Sequence, residues 1–324
     1  MAPSMKRVLA VLLPALLACC AGACSGGSQE IAVDFPDGAP RYRARLVDGR
    51  LYGTYRRWYE SGGRAFEGAY VKGKLHGVWR TWHESGALAV RASSRRGLLA
   101  GTRVEFDPEG KKLDESRFAN GERHGLRSRW LPSGRRVESE WKRGVQVGVE
   151  RTLDAQGRLV EERVFERGKP VRQVVWHEGG QKAVEIELRG GRREGVVQAW
   201  FPDGALRETT TYVMGLRHGP YRRWNAAGEE VEAGEYRADA KDGPWLERLD
   251  GGEVVHGEFQ AGKRHGPWRK ESAEGTLLEE GEYAQDLRVG VWRIWSADGV
   301  LDAALSGTYV DGVKGADGDE GETR

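Results

Sequence analysis

The chain has 324 residues, of which 39% are hydrophobic and 31% charged, and its formal net charge at pH 7 is +2. This composition excludes a thick aliphatic core of the usual kind, so large aromatic side chains must supply most of the buried area. The near-neutral total indicates by itself no strong preference for a charged partner.

The leader, residues 1–24, has the order of a bacterial export signal. Lys6 and Arg7 precede an apolar run over residues 8–18, and small residues follow. The run is too short to span a bilayer comfortably as a mature helix. We therefore expect a signal peptide over 1–24, a flexible tether over 25–37, and export of everything that follows.

All three cysteines lie in this leader. Cys19 follows the letters LLA, which resemble the lipobox of bacterial lipoproteins, whose cysteine is acylated and becomes the new N-terminus. Cys24 is the rival lipid attachment site, because the flexible letters SGGSQE after it make a better tether. The letters AGA before Cys24 also fit an ordinary cleavage site, which would release a soluble secreted protein. An uncleaved anchor is the remaining alternative.

From Gly38 to Gly315 the sequence repeats with a period of about 24 residues, within the range of stacked supersecondary units. Boundary glycines recur at nearly even steps of this period, and internal glycines follow them by eight or nine positions. The boundary set is Gly53, Gly77, Gly101, Gly125, Gly148, Gly195, Gly219, Gly243, Gly266, Gly290 and Gly315, with Arg172 in one place. The internal set is Gly62, Gly86, Gly110, Gly134, Gly157, Gly180, Gly204, Gly228, Gly252, Gly275 and Gly299. We therefore expect eleven and a half stacked units in one repeat domain over 38–315.

Aromatic residues recur at three positions of the repeat. Four residues before the internal glycine lie Trp58, Trp82, Phe106, Trp130, Trp176, Trp200, Trp224 and Trp295. Seven or eight residues after it lie Tyr70, Phe118, Trp141, Phe165, Tyr212, Tyr236, Phe259 and Tyr283. Two residues after the boundary glycine lie Tyr55, Trp79, Tyr221, Trp245, Trp268 and Trp292. Leucines recur at no fixed offset, which excludes a leucine-rich repeat.

Each repeat is predicted to be two short strands. Aromatic and β-branched residues suit a pleated surface, and pairs such as Ser61-Gly62 and Asp203-Gly204 supply the positive φ of tight turns. Segments such as NGERHG, ending at Gly125, and AGKRHG, ending at Gly266, are predicted to turn the chain into the next repeat. No helical apolar period persists after the leader, so we expect almost no helix there.

The pattern resembles the MORN repeat family, in particular a bacterial variant reading roughly G-x-W-x-x-W-[YH]-x-x-G and then Y-x-x-G-x-x-x-G. The match is close in GVWRTWHESG, GPYRRWNAAG and GVWRIWSADG, and the resemblance covers most of the chain, over 38–315. Departures at Leu153 and Arg172 predict less regular repeats there. The resemblance implies an all-β, elongated antiparallel hairpin ribbon and a binding or scaffolding role. Bacterial members are often described as antitoxin components, which is an association only.

The histidines and acidic residues form no pattern that is typical of a catalytic or metal-binding site. His76, His124, His218 and His265 each precede a boundary glycine, so we interpret them as repeat residues of a turn, at least about 20 Å apart and too far for one metal ion. Adjacent acids such as Glu161-Glu162 point to opposite faces of a strand. No nucleophile elbow or dinucleotide-binding motif occurs. We therefore expect no enzyme, cofactor or metal site.

Charge is distributed unevenly along the chain. Residues 41–172 hold 30 Lys and Arg against 17 Asp and Glu, whereas residues 173–324 hold 19 against 29. The basic end is densest at Arg41, Arg43, Arg45, Arg50, Arg56, Arg57 and Arg64. The first six of these arginines, Arg41 to Arg57, are candidates for contact with anionic membrane headgroups. Head-to-tail pairing between molecules, and simple solvation of the sheet, are the alternatives.

The aromatic sets allow two interpretations. They could form a stacking platform for glycans or a peptide, or they could be the core, and ring exposure decides between these. Residues 316–324 are acidic and almost free of apolar side chains, so we expect a disordered tail.

Together these features predict a non-enzymatic scaffold, anchored in the bacterial cell envelope on the periplasmic or outer-membrane side, that binds another protein through an extended β surface. Two alternatives are an immunity lipoprotein that neutralises a toxin, and a ribbon that binds lipid or glycan. Nucleic acid is excluded as a partner by the predicted export.

Overall fold

The computed structural model describes residues 27–315, and in these residues every regular element is a β-strand. The prediction of an all-β fold with almost no helix is therefore confirmed. No helix capable of crossing a bilayer occurs in this part of the chain. The described residues fall into two compact blocks: the first holds the residues up to Leu98 together with Pro108–Gly110, and the second holds Leu99–Asp107 and the residues from Lys111 onward.

Seven strands belong to the first block: β1 Ser28–Asp34, β2 Pro40–Val47, β3 Arg50–Leu51, β4 Gly53–Trp58, β5 Arg64–Val71, β6 Lys74–Trp82 and β7 Leu88–Arg95. The division between the blocks falls within the two-residue strand β8 Leu98–Leu99. The second block begins with β9 Gly101–Phe106, β10 Lys112–Ala119, β11 Glu122–Trp130, β12 Arg136–Lys142, β13 Val145–Leu153, β14 Leu159–Glu166, β15 Lys169–Trp176, β16 Lys182–Arg189 and β17 Arg192–Trp200. It continues with β18 Leu206–Val213, β19 Leu216–Trp224, β20 Glu230–Arg237, β21 Ala240–Arg248, β22 Val254–Gln260, β23 Lys263–Glu271, β24 Leu277–Ala284, β25 Leu287–Ile294, β26 Gly307–Val310 and β27 Val313–Lys314.

Within each block the strands pair antiparallel with their neighbours in sequence. In the first block β1 pairs with β2, β2 with β3 and β4, and β4 to β7 follow in order. In the second block the order is unbroken from β9 to β27. The predicted hairpin repeat is confirmed.

One predicted boundary is wrong. The tether predicted over 25–37 contains β1, whose residues pair with β2 from Ser28 opposite Val47 to Asp34 opposite Pro40. Ile31 and Val33 are partly buried between exposed neighbours, an alternation that favours a strand.

The internal glycines close one type of hairpin, as predicted. In the turn after β4, Gly62 N–H donates to the Tyr59 carbonyl at 3.0 Å, and Tyr59 N–H donates to the Gly63 carbonyl at 2.8 Å. Gly62 has φ +83°, a conformation that few other residues adopt easily.

The turns between repeats are shorter than predicted. In the segment NGERHG only Asn120 and Gly121, both with positive φ, form the turn, as in a two-residue hairpin turn. The rest belongs to β11, so His124 is a strand residue. His76, His218 and His265 likewise lie in strands β6, β19 and β23, and the assignment of these histidines to a turn is wrong.

Most boundary glycines form bulges inside strands, whereas Gly53 and Gly101 begin β4 and β9 and Gly315 follows the last strand. Gly125 has φ +98°, and the register between β10 and β11 shifts between Ser116 and Phe118. A bulge of this kind bends a strand and increases its twist. Arg172 replaces a boundary glycine. Near it the register between β14 and β15 shifts by one residue, whereas the register between β5 and β6 shifts by two. The strands on both sides of Arg172 still pair as regular hairpins.

The buried ring clusters of the second block lie on one face of β19–β26, which we call the ring face. Tyr221, Tyr236, Trp245, Tyr283 and Trp292 are buried there, Trp292 completely. Successive rings pack edge to face or stacked, with centroids 4.9–6.1 Å apart. In the first block Tyr42, Tyr55, Phe66, Tyr70 and Trp79 are in similar contact. The burial of the second-block rings supports the interpretation as core, and in the first block Tyr70 is buried while the other four rings are half-buried.

Candidate binding surface

Glycines in the second strand of a repeat make room for the rings. A Cβ atom at Gly257 would lie 2.1 Å from the Trp268 ring, and one at Gly281 would lie 2.3 Å from the Trp292 ring. Gly234 has the same relation to Trp245. Each indole therefore lies flat on a neighbouring backbone, which no residue with a side chain would allow.

Long cationic side chains cover the rings on their outer side. The Arg217 guanidinium lies 3.9 Å from the Tyr236 ring centroid, Lys241 Nζ lies 4.1 Å from that of Trp245, and Arg264 lies 4.1 Å from that of Tyr283. These cations shield the rings with their apolar stems and add cation–π attraction. These side chains separate the ring face from solvent, as a second layer of strands or helices would.

The covering cations are fixed by acids. Lys241 Nζ lies 3.0 Å from Glu232 Oε1, and Arg223 Nε lies 3.2 Å from Glu232 Oε2. Burial opposes ionisation of Glu232, but the hydrogen bonds and charges of Lys241 and Arg223 outweigh it and lower the pKa of this carboxyl. Burial, reinforced by the Glu232 charge, raises the pKa of the Tyr221 hydroxyl. The phenol stays neutral and the acid charged at ordinary pH.

In β10 and β11 of the second block a buried polar group takes the place of one ring. Asp114 is 5% exposed and accepts hydrogen bonds from Ser116 and from Arg127 Nε, the latter at 2.7 Å. Arg127 occupies the position that Trp245 has in its own repeat, two residues after a boundary glycine. This group is a satisfied buried ion pair that substitutes for a ring.

The opposite face of β19–β25 is exposed and forms an open trough of about 890 Å³. One row of the trough alternates proline and glutamate, with Pro220 opposite Glu235, Pro244 opposite Glu258, and Pro267 opposite Glu282. All six residues of this row are exposed. We call it the Pro-Glu row.

A second row of the trough follows the strand register without interruption. It consists of Arg222, Ala233, Leu246, His256, Arg269, Glu280 and Arg293, each opposite the next. We call it the middle row. Its arginines are paired with acids: Arg293 with Glu280 at 2.9 Å and Arg269 with Glu271 at 2.7 Å. The middle row is therefore electrically balanced.

The Pro-Glu row carries free negative charge. Within residues 27–315, the carboxylates of Glu235, Glu258 and Glu282 take part in no ion pair or side-chain hydrogen bond. These glutamates lie on alternate strands β20, β22 and β24, so successive ones are about 10 Å apart, twice the strand spacing.

Four of the predicted membrane-contact arginines share a face in the first block. Arg41, Arg43 and Arg45 alternate along β2, and Arg56 lies opposite Arg43. Arg57 lies opposite Tyr42 on the other face, and Arg50 is in the short strand β3. The structure therefore brings four of the six together.

Acids already accompany three of these arginines. Arg43 pairs with Asp34 at 2.6 Å, Arg56 with Glu67 at 2.9 Å, and Arg45 with Glu30 at 3.9 Å. Such exposed pairs are weak and exchange readily with other partners.

Other predicted groups do not converge on a site. Cys19 and Cys24 lie outside the described residues. In the part of the chain that is described, no three His, Cys, Asp or Glu side chains are grouped so that they could hold a metal ion. The four histidines of the repeat are distributed over β6, β11, β19 and β23.

Two sets of glycines were not separated from the others by sequence reasoning: the first is contained in the motif Y-x-x-G-x-x-x-G, and the second was missed. The two-residue turns contain Gly49, Gly73, Gly97, Gly121, Gly144, Gly168, Gly191, Gly215, Gly262 and Gly312. The glycines beneath rings are Gly68, Gly234, Gly257 and Gly281. Both sets recur with the period of the repeat, and this recurrence is the sequence signal that identifies them. The second set also shows which repeats can hold an aromatic ring against the neighbouring backbone.

Comparison with known proteins assigns no family. No family model matches the chain, and no characterised protein matches its sequence. One solved structure that aligns with it is a protein of unknown function from Bacteroides caccae, with 12% identity, a TM-score of 0.17, and coverage of 73% of this chain and 92% of that one. So low a score carries no argument about this protein.

Proposed function

We propose that this chain is a non-enzymatic repeat scaffold, anchored in a bacterial envelope, that binds another protein through the trough of β19–β25. The observation that carries the proposal is the difference between the two faces of these strands. The ring face is closed by glycines, rings and covering cations, whereas the trough leaves the Pro-Glu row exposed and the middle row partly exposed. Regular exposed rows on a rigid sheet suit an extended partner.

The test is capture of partners from solubilised membranes by the full chain and by a blocked variant. Ala233→Arg/Leu246→Arg adds two large side chains to the middle row, which already holds arginine at equivalent positions, so the fold should be kept. Leu126→Arg/Val196→Arg is the matched control, because both residues are exposed and lie outside the trough.

We expect mass spectrometry to identify proteins that the wild type and the control retain and the blocked variant loses. Circular dichroism checks that all three chains are folded. Equal capture by the blocked variant, or no protein above a tag-only background with the wild type, would contradict the proposal.

The anchor is a separate part of the proposal, supported by the leader sequence. Cys19→Ser and Cys24→Ser variants are to be compared by metabolic labelling with a fatty acid. Only the substitution of the true acceptor should abolish labelling. Absence of labelling in the wild type would exclude a lipoprotein, and retention of labelling in the double variant would exclude both Cys19 and Cys24 as the acceptor.

The shared face of Arg41, Arg43, Arg45 and Arg56 favours a second contact, with anionic lipid. Each favourably placed charge contributes up to about 1 kcal/mol at such a surface. We expect the unlipidated chain to sediment with anionic vesicles more than with neutral ones, and this preference to decrease in Arg41→Gln/Arg45→Gln/Arg56→Gln. Equal sedimentation with both kinds of vesicle would exclude the contact.

A further inference from the structure

The Pro-Glu row restricts the chemistry of the partner more than the trough as a whole does. We infer that it binds a basic segment in the polyproline II conformation, with Lys or Arg at every third residue, lying across the strands. This inference rests on the proposed function, because it describes what occupies the same trough.

Spacing is the first reason. Glu235, Glu258 and Glu282 repeat every two strands, which is about 9.6 Å. A polyproline II segment rises about 3.1 Å per residue and makes one turn in three residues, so every third side chain points the same way at intervals of about 9.3 Å. In a β-strand, residues three apart are about 10 Å apart but point to opposite faces. The polyproline II conformation therefore matches the row, and an extended strand does not.

Charge is the second reason. Three carboxylates without an internal counterion face solvent on one row, while the three arginines of the adjacent middle row are paired with Glu230, Glu271 and Glu280. Residues 173–324 as a whole hold 19 basic against 29 acidic side chains. A cationic segment is attracted to this row, and an anionic lipid surface is repelled by it.

The prolines are the third reason. Pro220, Pro244 and Pro267 are exposed and alternate with the glutamates, so they offer an apolar ring between each pair of charges. Between its basic residues, a polyproline II segment presents rings or methylenes that pack on such a surface. A single metal ion is excluded as the occupant, since its bonds of about 2.1–2.6 Å cannot join carboxylates about 10 Å apart.

The experiment uses two fluorescent peptides of the same composition and charge. In K-P-P-K-P-P-K the lysines have the predicted spacing, and in K-K-K-P-P-P-P they are adjacent. Binding to the full chain in detergent is measured by fluorescence anisotropy at low ionic strength. We expect the spaced peptide to bind about tenfold more tightly, a difference of about 1.4 kcal/mol, and its binding to weaken as salt is added.

Two triple variants locate the site. Glu235→Gln/Glu258→Gln/Glu282→Gln should weaken binding of the spaced peptide about tenfold or more, and should remove its advantage over the clustered one. Glu122→Gln/Glu166→Gln/Glu178→Gln removes the same charge from exposed glutamates outside the row and should leave both affinities unchanged. Circular dichroism confirms that both variants keep the fold.

Three results would overturn the inference. These are equal binding of the two peptides, equal weakening by the two variants, or self-association of the full chain that disappears in the row variant, which would make a second copy the occupant. If the peptides do not bind but capture of a protein still depends on the trough, the proposed function holds and the partner has a different chemistry. Loss of trough-dependent capture would remove the proposed function itself.

Discussion

At the scale of single residues, packing in the second block depends on glycines that lie beneath tryptophan rings. The indoles of Trp268 and Trp292 occupy the space where Gly257 and Gly281 would carry a side chain. A single sheet has no second layer to fill, so its buried contacts are made along the sheet, between neighbouring strands. This arrangement leaves no free volume at the glycine positions.

We therefore expect Gly257→Ala to destabilise the protein by about 1–3 kcal/mol, because the methyl group forces the Trp268 ring out of place. Urea unfolding followed by tryptophan fluorescence measures the change. Gly179→Ala is the control, since a Cβ there meets no atom within 4 Å and Gly179 has no positive φ. Equal stability of the two variants would show that the ring moves without cost.

The pKa of Glu232 makes part of the stability depend on pH. Because folding lowers the pKa of this carboxyl below its usual value of 4.5, its contribution is present above about that pH and is lost as the pH falls through the folded-state pKa. We expect Glu232→Gln to be less stable than the wild type at neutral pH, with the difference decreasing in acid. Urea unfolding at several pH values measures it, and Glu166→Gln, an exposed control, should follow the wild type throughout.

At the scale of elements, two turns of different construction alternate along the chain. Ser61-Gly62 was predicted correctly from its composition. The return turn at Asn120-Gly121 was placed too broadly, because a bulge glycine such as Gly125 has the same positive φ as a turn glycine. A glycine signal alone does not distinguish the two, whereas strand pairing does.

Met214 tests this description of the return turns. It occupies the first position of the turn between β18 and β19 with φ +53°, and its side chain is exposed. Left-handed backbone costs an ordinary residue about 1–2 kcal/mol, and asparagine less. Met214→Asn should therefore raise the urea midpoint, and Met214→Val should lower it because a β-branched residue fits this conformation poorly. A lower midpoint for the asparagine variant would contradict the turn assignment.

At the scale of the whole molecule, each block is built from contacts between strands that are neighbours in sequence. Stability in such an array is approximately a sum over repeats and their interfaces. No repeat depends on a distant one, so whole repeats should be removable.

Deletion of residues 195–218 joins Glu194 to Gly219, a glycine equivalent to Gly195. We expect the shortened chain to fold, with an unchanged β spectrum by circular dichroism and a lower unfolding free energy. Deletion of 195–206 removes about half a repeat, so the strands that follow would run in the wrong direction for antiparallel pairing. We expect this variant to fail to fold fully and to show no cooperative unfolding transition. Equal tolerance of both deletions would contradict the alternation of two turn types.

The sequence by itself determined the period, the strand class and the positions of most rings, because side-chain type and glycine spacing directly limit local backbone conformation. It also predicted which residues cluster by charge, as at Arg41, Arg43 and Arg45. Only the tertiary structure decided which face each residue takes, because bulges at glycines such as Gly125 shift the register and so change the pairing across strands. For the same reason, the rings over Gly257 and Gly281, and the free row of Glu235, Glu258 and Glu282, become visible only when strands from neighbouring repeats lie side by side.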